Sequence, residues 1–180
     1  TYDYANKYLL EASGRYDGSY YFAPEHRFGF FPAFSAGWRL SEENFLKNVH
    51  WINNLKIRGS YGEVGALAGA AFQYLSTFGV SGPSYVIGGQ AVQSANERNE
   101  SNPNITWERA RKTDIGFEAR LWNGLLTVEA DYFHEKRSNM LMNPDVVLPA
   151  EYGIGLSQIN SGIMKNSGID ISIGSSHNFS

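Results

Sequence analysis

Glu118 and Glu129 are the two residues best placed to do chemistry. If the runs TDIGFEARLW (113–122) and LLTVEADYFHEK (125–136) pair around Asn123-Gly124, these carboxylates stand directly opposite each other on neighbouring strands. Opposed Cβ atoms lie about 4.5–5.5 Å apart, loosely the geometry of a retaining glycosidase, in which one carboxyl attacks while the other donates a proton. The competing reading, a solvated face balanced by Arg120 one diagonal step away, is the one adopted. His26, His50, His134 and His177 have no partner at metal-ligand spacing; His134-Glu135 lacks the second histidine a helical zinc site needs and lies at a strand end. The chain has no cysteine, which removes thiolate metal sites, thiol nucleophiles and disulfides. It contains no G-x-S-x-G, P-loop or S-x-x-K. No catalytic residue, metal or cofactor is expected, and the chain is not read as an enzyme. Sequons begin at Asn99, Asn104 and Asn178 and are assigned nothing. Tyr74, Tyr85 and Trp107 lie in connections, where they could stack on a sugar or peptide ligand; packing of the loops is the reading preferred.

The elements that would position these residues are strands. Aromatics at 14%, nineteen glycines and only 18% charged residues in 180 residues favour strands and turns. A net charge of −3 without a Lys/Arg cluster argues against nucleic acid as a partner. No run approaches the eighteen or so apolar residues of a spanning helix, and TYDYANKYLLEASGRYD lacks the plan of a signal peptide. A membrane β-barrel is compatible with a mean hydropathy of −0.35, because only alternate strand residues need be apolar.

Asn-Gly between alternating runs is the strongest short hairpin signal. A two-residue turn there sets Trp122 against Leu125 and Leu121 against Leu126. Ile115, Phe117, Ala119 and Leu121 then share a face with Tyr132, Ala130, Val128 and Leu126, while Glu118, Arg120 and Glu129 share the other. The same period of two marks residues 8–18, 29–40, 55–64 and 167–174. That makes about six strands. One short connecting helix is expected over 41–49, where Ser41 can cap an acidic first turn. FQYLSTFGV and SYVIGG within 65–104 suggest an extra hairpin above the rim. An arginine at Phe117 is expected to be costly and one at Glu118 nearly silent.

Connections alternate by end apart from the intermediate 41–54 link: a turn of about nine residues at 19–27, about forty residues at 65–104, the two-residue Asn123-Gly124 turn and about twenty at 144–165. Unstructured loops beyond about 12–15 residues are uncommon in compact domains, whereas outer-membrane barrels carry short turns at one end and long loops at the other. Trp38 and Trp122 near the tight end, with Tyr132 and Phe133 some eight residues up the partner strand, suit aromatic girdles at the margins of an apolar band. Capping of a sandwich core is the other reading, and a soluble carbohydrate-binding β-sandwich is the alternative fold.

Four stretches in order and spacing, FAPEHRFGFFPAFSAGWRLSEENFLKN, INNLKIRGSYGEVG, NPNITWERARKTDIGFEARLWNGLLTVEADYFHEKRSNML and NSGIMKNSGIDIS, resemble the barrel of SusC/RagA-type TonB-dependent outer-membrane transporters. The resemblance covers nearly the whole chain. It implies an all-β, antiparallel up-and-down segment of a large transmembrane β-barrel in the outer membrane, its apolar face towards lipid. It also implies import of a nutrient such as a glycan or peptide fragment, with a SusD-like surface lipoprotein and TonB as partners of the full-length protein. Such barrels close with about 22 strands, so residues 1–180 are expected to be part of a barrel, with the plug domain and remaining strands absent.

Overall fold

A computed structural model describes residues 1–176. Its main sheet has seven strands, all antiparallel: β1 (Tyr2–Tyr4), β2 (Tyr8–Gly18), β3 (Phe28–Arg39), β4 (Ile52–Ala66), β7 (Glu108–Leu121), β8 (Leu126–Met142) and β9 (Ile159–Ser175). They neighbour one another in that order. A separate hairpin, β5 (Phe78–Ile87) and β6 (Gln90–Glu97), is inserted between β4 and β7. The six long strands are those the alternation predicts; β1 is an addition. β4, β7, β8 and β9 run on beyond their apolar stretches, because the backbone ladder continues where the side chains turn charged.

The register builds apolar rows across the sheet. One runs Tyr2, Leu10, Ala36, Gly59, Ile115, Tyr132, Ile169; the next runs Tyr8, Trp38, Ile57, Phe117, Ala130, Ile171. No second layer covers them among the described residues: Ile115, Ile169 and Ile171 are 56%, 68% and 66% exposed. A β-sandwich needs a facing sheet over these side chains, so the sandwich alternative fails. On β7 the apolar side spans Leu121 to Thr113, about 27 Å along a strand at 3.4 Å per residue, or about 21 Å once tilted by 40°, comparable to the apolar band of a membrane barrel.

The connections sort by end as expected. Residues 5–7, 40–51 and 122–125 lie at one end; 19–27, 67–107 and 143–158 lie at the other. Three local expectations change. The 41–49 helix does not form: Leu40–Glu42 is a 3-10 turn followed by further turns. Its would-be N-terminus is occupied elsewhere, since Glu43 reaches back to β2 and β3. The extra hairpin exists but turns at Gly88 and Gly89 (φ +60° and +80°), where left-handed backbone favours glycine. Residues 72–77 are therefore not strand. The 122–125 turn keeps the predicted register, with Leu121 opposite Leu126, Ala119 opposite Val128 and Glu118 opposite Glu129. Asn123 (φ 54°) and Gly124 (φ 86°) form its centre, closed by the Leu125 N–H on the Trp122 carbonyl at 3.1 Å. Trp122 itself (φ 51°) leaves the ladder, however. Its N–H donates to Trp51 O at 2.8 Å and its ring stacks on Trp51 at 5.8 Å. A bulge at Asn53 supplies the clamp: Asn123 N–H donates to Asn53 Oδ1 at 2.7 Å, and Asn53 Nδ2 donates to Asn123 Oδ1 at 3.1 Å.

Aromatic rings line the short-turn end, where Tyr4, Tyr8 and Trp38 stack in sequence with centroids 6.4 and 6.2 Å apart. Glu43 secures this stack, accepting from Lys7 Nζ (2.9 Å), Tyr8 Oη (2.8 Å) and Trp38 Nε1 (3.1 Å). These donors, Lys7 first, hold the Glu43 carboxyl at about 2, below its ordinary 4.5. The depressed value means that the folded state binds fewer protons than the unfolded one between pH 4.5 and 2. The contribution is thus complete above pH 4.5 and declines as pH falls towards 2. Near-ultraviolet dichroism of the stack is expected to fade over that window, and Glu43→Gln is expected to flatten the dependence. At the other margin, Tyr16 and Phe28 stack at 5.3 Å. The sequence places Tyr132 and Phe133 there instead. The register puts Tyr132 in mid-band opposite Ile115 and Ile169, and Phe133 on the polar face opposite Asp114 and Gly168.

The only buried cluster among the described residues sits at the long-loop end: Phe22, Phe31, Ile105 and Trp107, with Tyr21 and Leu141 packed on it. β3 and β4 pair only as far as Ala33–Gly62. Phe31 fills the wedge beyond, against Gly65, where any Cβ would collide with its ring.

Candidate functional site

Alternation sends Lys56, Arg58, Glu118 and Asp131 to the face opposite the apolar rows. Arg58 on β4 reaches across β7 to Asp131 on β8 with two parallel bonds, Nε–Oδ1 3.1 Å and Nη2–Oδ2 2.7 Å, and donates Nη1 to Glu118 at 2.9 Å. Lys56 Nζ lies 3.8 Å from the same Glu118 oxygen. Strands two apart are about 9.6 Å distant, and the bridge closes because the residue between them is Gly116. A Cβ there would strike the Asp131 carboxylate and approach Ala130 O to 3.0 Å. Gly116→Ala is expected to open the bidentate pair and cost about 1–2 kcal/mol, the value for charged hydrogen bonds reduced because Arg58 is 38% exposed. Unfolding midpoints would show it, and Ser172→Ala on the same face would not.

This network corrects two expectations. Arg58 and Lys56, not Arg120, balance Glu118; the Arg120 guanidinium lies over Gly124. An arginine at Glu118 would also meet both cations and would not be silent. Glu118 is thus occupied as an ion-pair acceptor, and Glu129 opposite it is exposed.

The second feature is a depression of about 390 Å³ at the long-loop end, where residues 70–77, 99–100, 143 and 156–158 converge. Gln73 Nε2 donates to Gln158 Oε1 at 3.3 Å, and Asn102 Nδ2 to Gln158 O at 2.7 Å, which join the loops. Phe72 sits at its edge in left-handed backbone (φ 63°), an uncommon place for a bulky residue, with its ring 5.6 Å from Tyr20 and 6.3 Å from Tyr74. Amides of Asn99, Gln73 and Asn143, the Glu100 carboxylate and an aromatic platform can hydrogen-bond and stack on a polar ligand such as a sugar or a peptide.

Of the aromatic residues the sequence singles out, Tyr74 belongs to this cluster through Phe72. Tyr85 stands 64% exposed on β5, and Trp107 is 6% exposed with Nε1 donating to Arg27 O at 3.3 Å. They do not converge: no ring contact joins any two of them among the described residues. Gln73, Asn99, Glu100, Asn143 and Gln158 carry no motif; only their adjacency after folding singles them out. His26 and His50 lie in connections, and His134 faces Thr113 and Ser167. Asn99 bridges Gly155, and Asn104 N–H donates to Asn102 Oδ1 at 3.0 Å. His177 and Asn178 lie outside the described residues.

A family model described as TonB dependent receptor-like, beta-barrel matches residues 1–180. The chain belongs to this family. TonB-dependent receptors are outer-membrane transporters and not enzymes. A TonB-dependent receptor of Formosa agariphila is 34% identical over 172 residues, 96% of this chain and 17% of that protein. The TonB-dependent receptor SusC of Bacteroides thetaiotaomicron is 30% identical over 181 residues, again 96% and 17%. The chain therefore spans about a sixth of the length of these curated relatives. Among solved structures, the RagAB peptide importer in its closed-closed state superposes with a TM-score of 0.81 at 22% identity, over 97% of this chain and 18% of that one. The siderophore receptor PirA of Pseudomonas aeruginosa gives 0.55 at 16%, over 92% and 28%. Both likenesses show the fold. As a section of a TonB-dependent receptor barrel, the sheet has its apolar rows as the lipid side and the Arg58 network on the interior side.

Proposed function

We propose that residues 1–180 form part of the wall of an outer-membrane importer for a nutrient such as a glycan or peptide fragment, captured at the long-loop end and drawn through the barrel by TonB. A SusD-like surface lipoprotein would share the capture, and the plug and remaining strands would come from the rest of the parent protein. One observation carries this reading: seven strands present an uncovered apolar band on one face and an ion-paired polar network on the other. Lipid covers the first and water the second without leaving backbone groups unsatisfied, provided β1 and β9 find further partners. The share of the relatives' length that the chain covers and the amide-rich depression beneath the long loops support the same reading.

The test is uptake of defined oligosaccharides and peptides by cells with the intact parent gene, by a deletion strain and by a strain lacking TonB, alongside membrane fractionation. Uptake of one class lost in both mutants, with the protein in the outer membrane, is expected. A soluble protein, or uptake indifferent to both deletions, would sink the proposal.

A further inference from the structure

Just beyond the apolar band on the long-loop side, the lipid-facing side chains change from neutral to cationic in a single row. Register places Glu63, Arg111, Lys136 and Lys165 directly beside one another on β4, β7, β8 and β9. They lie on the lipid side because each stands an even number of residues from a member of an apolar row: Arg111 from Ile115, Lys136 from Tyr132, Lys165 from Ile169. The single carboxylate of the row is spent on arginine, with Glu63 receiving Nε of Arg111 in the row at 2.9 Å and Nη1 of Arg109, one ladder step further out, at 3.1 Å.

Lys136 and Lys165 have no ion pair among the described residues. Lys136 has Arg111 on one side and Lys165 on the other. Its remaining neighbours on this face are Arg109 and Thr113 diagonally on β7, Ile163 and Ser167 diagonally on β9, and His134 and Ser138 on its own strand. None is acidic. Like charges directly opposed across a ladder repel, so the row is incomplete without an anion between its cations. Its depth selects the anion. One ladder step nearer the membrane centre is the row of Tyr61, Thr113, His134 and Ser167, which holds no lysine, arginine or carboxylate; the cations stand outside it, at the level of lipid headgroups.

We propose that Arg111, Lys136 and Lys165 bind the phosphate of an anionic lipid in the leaflet on the long-loop side. This rests on the apolar band lying in lipid, as in the proposed function.

The experiment uses the intact transporter, purified in detergent, with native mass spectrometry as the readout. The added probes are bisphosphorylated lipid A, its dephosphorylated form, and inorganic phosphate. Wild type is expected to hold the phosphorylated lipid about thirtyfold more tightly than K136Q/K165Q, from roughly 1 kcal/mol for each of the two surface cations. The dephosphorylated lipid should bind both proteins alike, inorganic phosphate should not displace the lipid, and Lys47→Gln at the short-turn end should change nothing. Removing facing cations relieves repulsion, so the double variant should fold, checked by its heat-modifiable migration. Equal retention of phosphorylated lipid by wild type and double variant overturns the proposal, as does displacement by inorganic phosphate, which would mark a free-anion site. A fluorophore on Ile171→Cys with a lipid-borne quencher separates the two readings. Quenching with equal retention removes only the phosphate site, whereas absence of quenching removes the membrane placement and this proposal with it.

Discussion

Trp107→Ala is expected to cost about 3–5 kcal/mol, the range for truncating a buried large aromatic residue, and to release the long-loop end while leaving the membrane strands paired. Trp107 immediately precedes β7 and links the 19–27 connection to the β3–β4 wedge. Its ring lies 5.4 Å from Phe22 in the 19–27 connection and 5.6 Å from Phe31 in the β3–β4 wedge, and its indole N–H holds the Arg27 carbonyl. No other buried cluster among the described residues can take over. Hydrogen exchange should show protection lost over 19–27 and around Ile105, with residues 113–121 and 126–134 unaffected, because local opening follows local packing. Tyr85→Ala, on the exposed face of the inserted hairpin, is expected to stay within about 0.5 kcal/mol of wild type. Equal protection in the Trp107 variant would mean that the strands, not this cluster, order the loops.

Phe117→Arg is expected to cost about 2–4 kcal/mol, the depth-dependent penalty for a cation at the bilayer midplane of a barrel. Phe117 lies midway along β7 between Leu121 at the short-turn margin and Thr113 at the long-loop margin, with Ile57 and Ala130 to its sides. An arginine there is too far from either margin to reach water easily. Ser172→Arg, exposed on the polar face opposite Glu129, carries the same charge at nearly the same height and should be tolerated. Urea unfolding of the intact protein in lipid bilayers measures both. A small loss at Phe117 matched by a large one at Ser172 would reverse the assignment of the two faces.

Much of this architecture was legible in the sequence because β-strand side chains alternate with a period of two. One Asn-Gly turn fixes the phase, and Ile115, Phe117, Val128 and Ile171 fall on one face with no further information. Loop lengths set 67–107 and 143–158 apart from 122–125, but not 19–27 from the longer 40–51 connection, whose ends follow only from strand alternation. The apparent cap at Ser41 misled, since an acidic first turn also suits a loop whose Glu43 is claimed by Lys7 in the 5–7 turn and by Tyr8 and Trp38 on β2 and β3. Trp122 misled for a similar reason: Trp51, seventy-one positions earlier in the chain, offers a carbonyl and a ring that draw it out of the ladder.

The sequence by itself determined the six long strands of the main sheet, their faces, the hairpin register and, through four long stretches, the family resemblance; all of these follow from local periodicity or from extended pattern. Only the tertiary structure decided which charges meet. Arg58 finds Asp131 across a glycine on the intervening strand, Lys136 is left between Arg111 and Lys165, and Gln73, Glu100, Asn143 and Gln158 gather around one depression. Each grouping joins strands or loops far apart in the chain, where only pairing order and register set the distance.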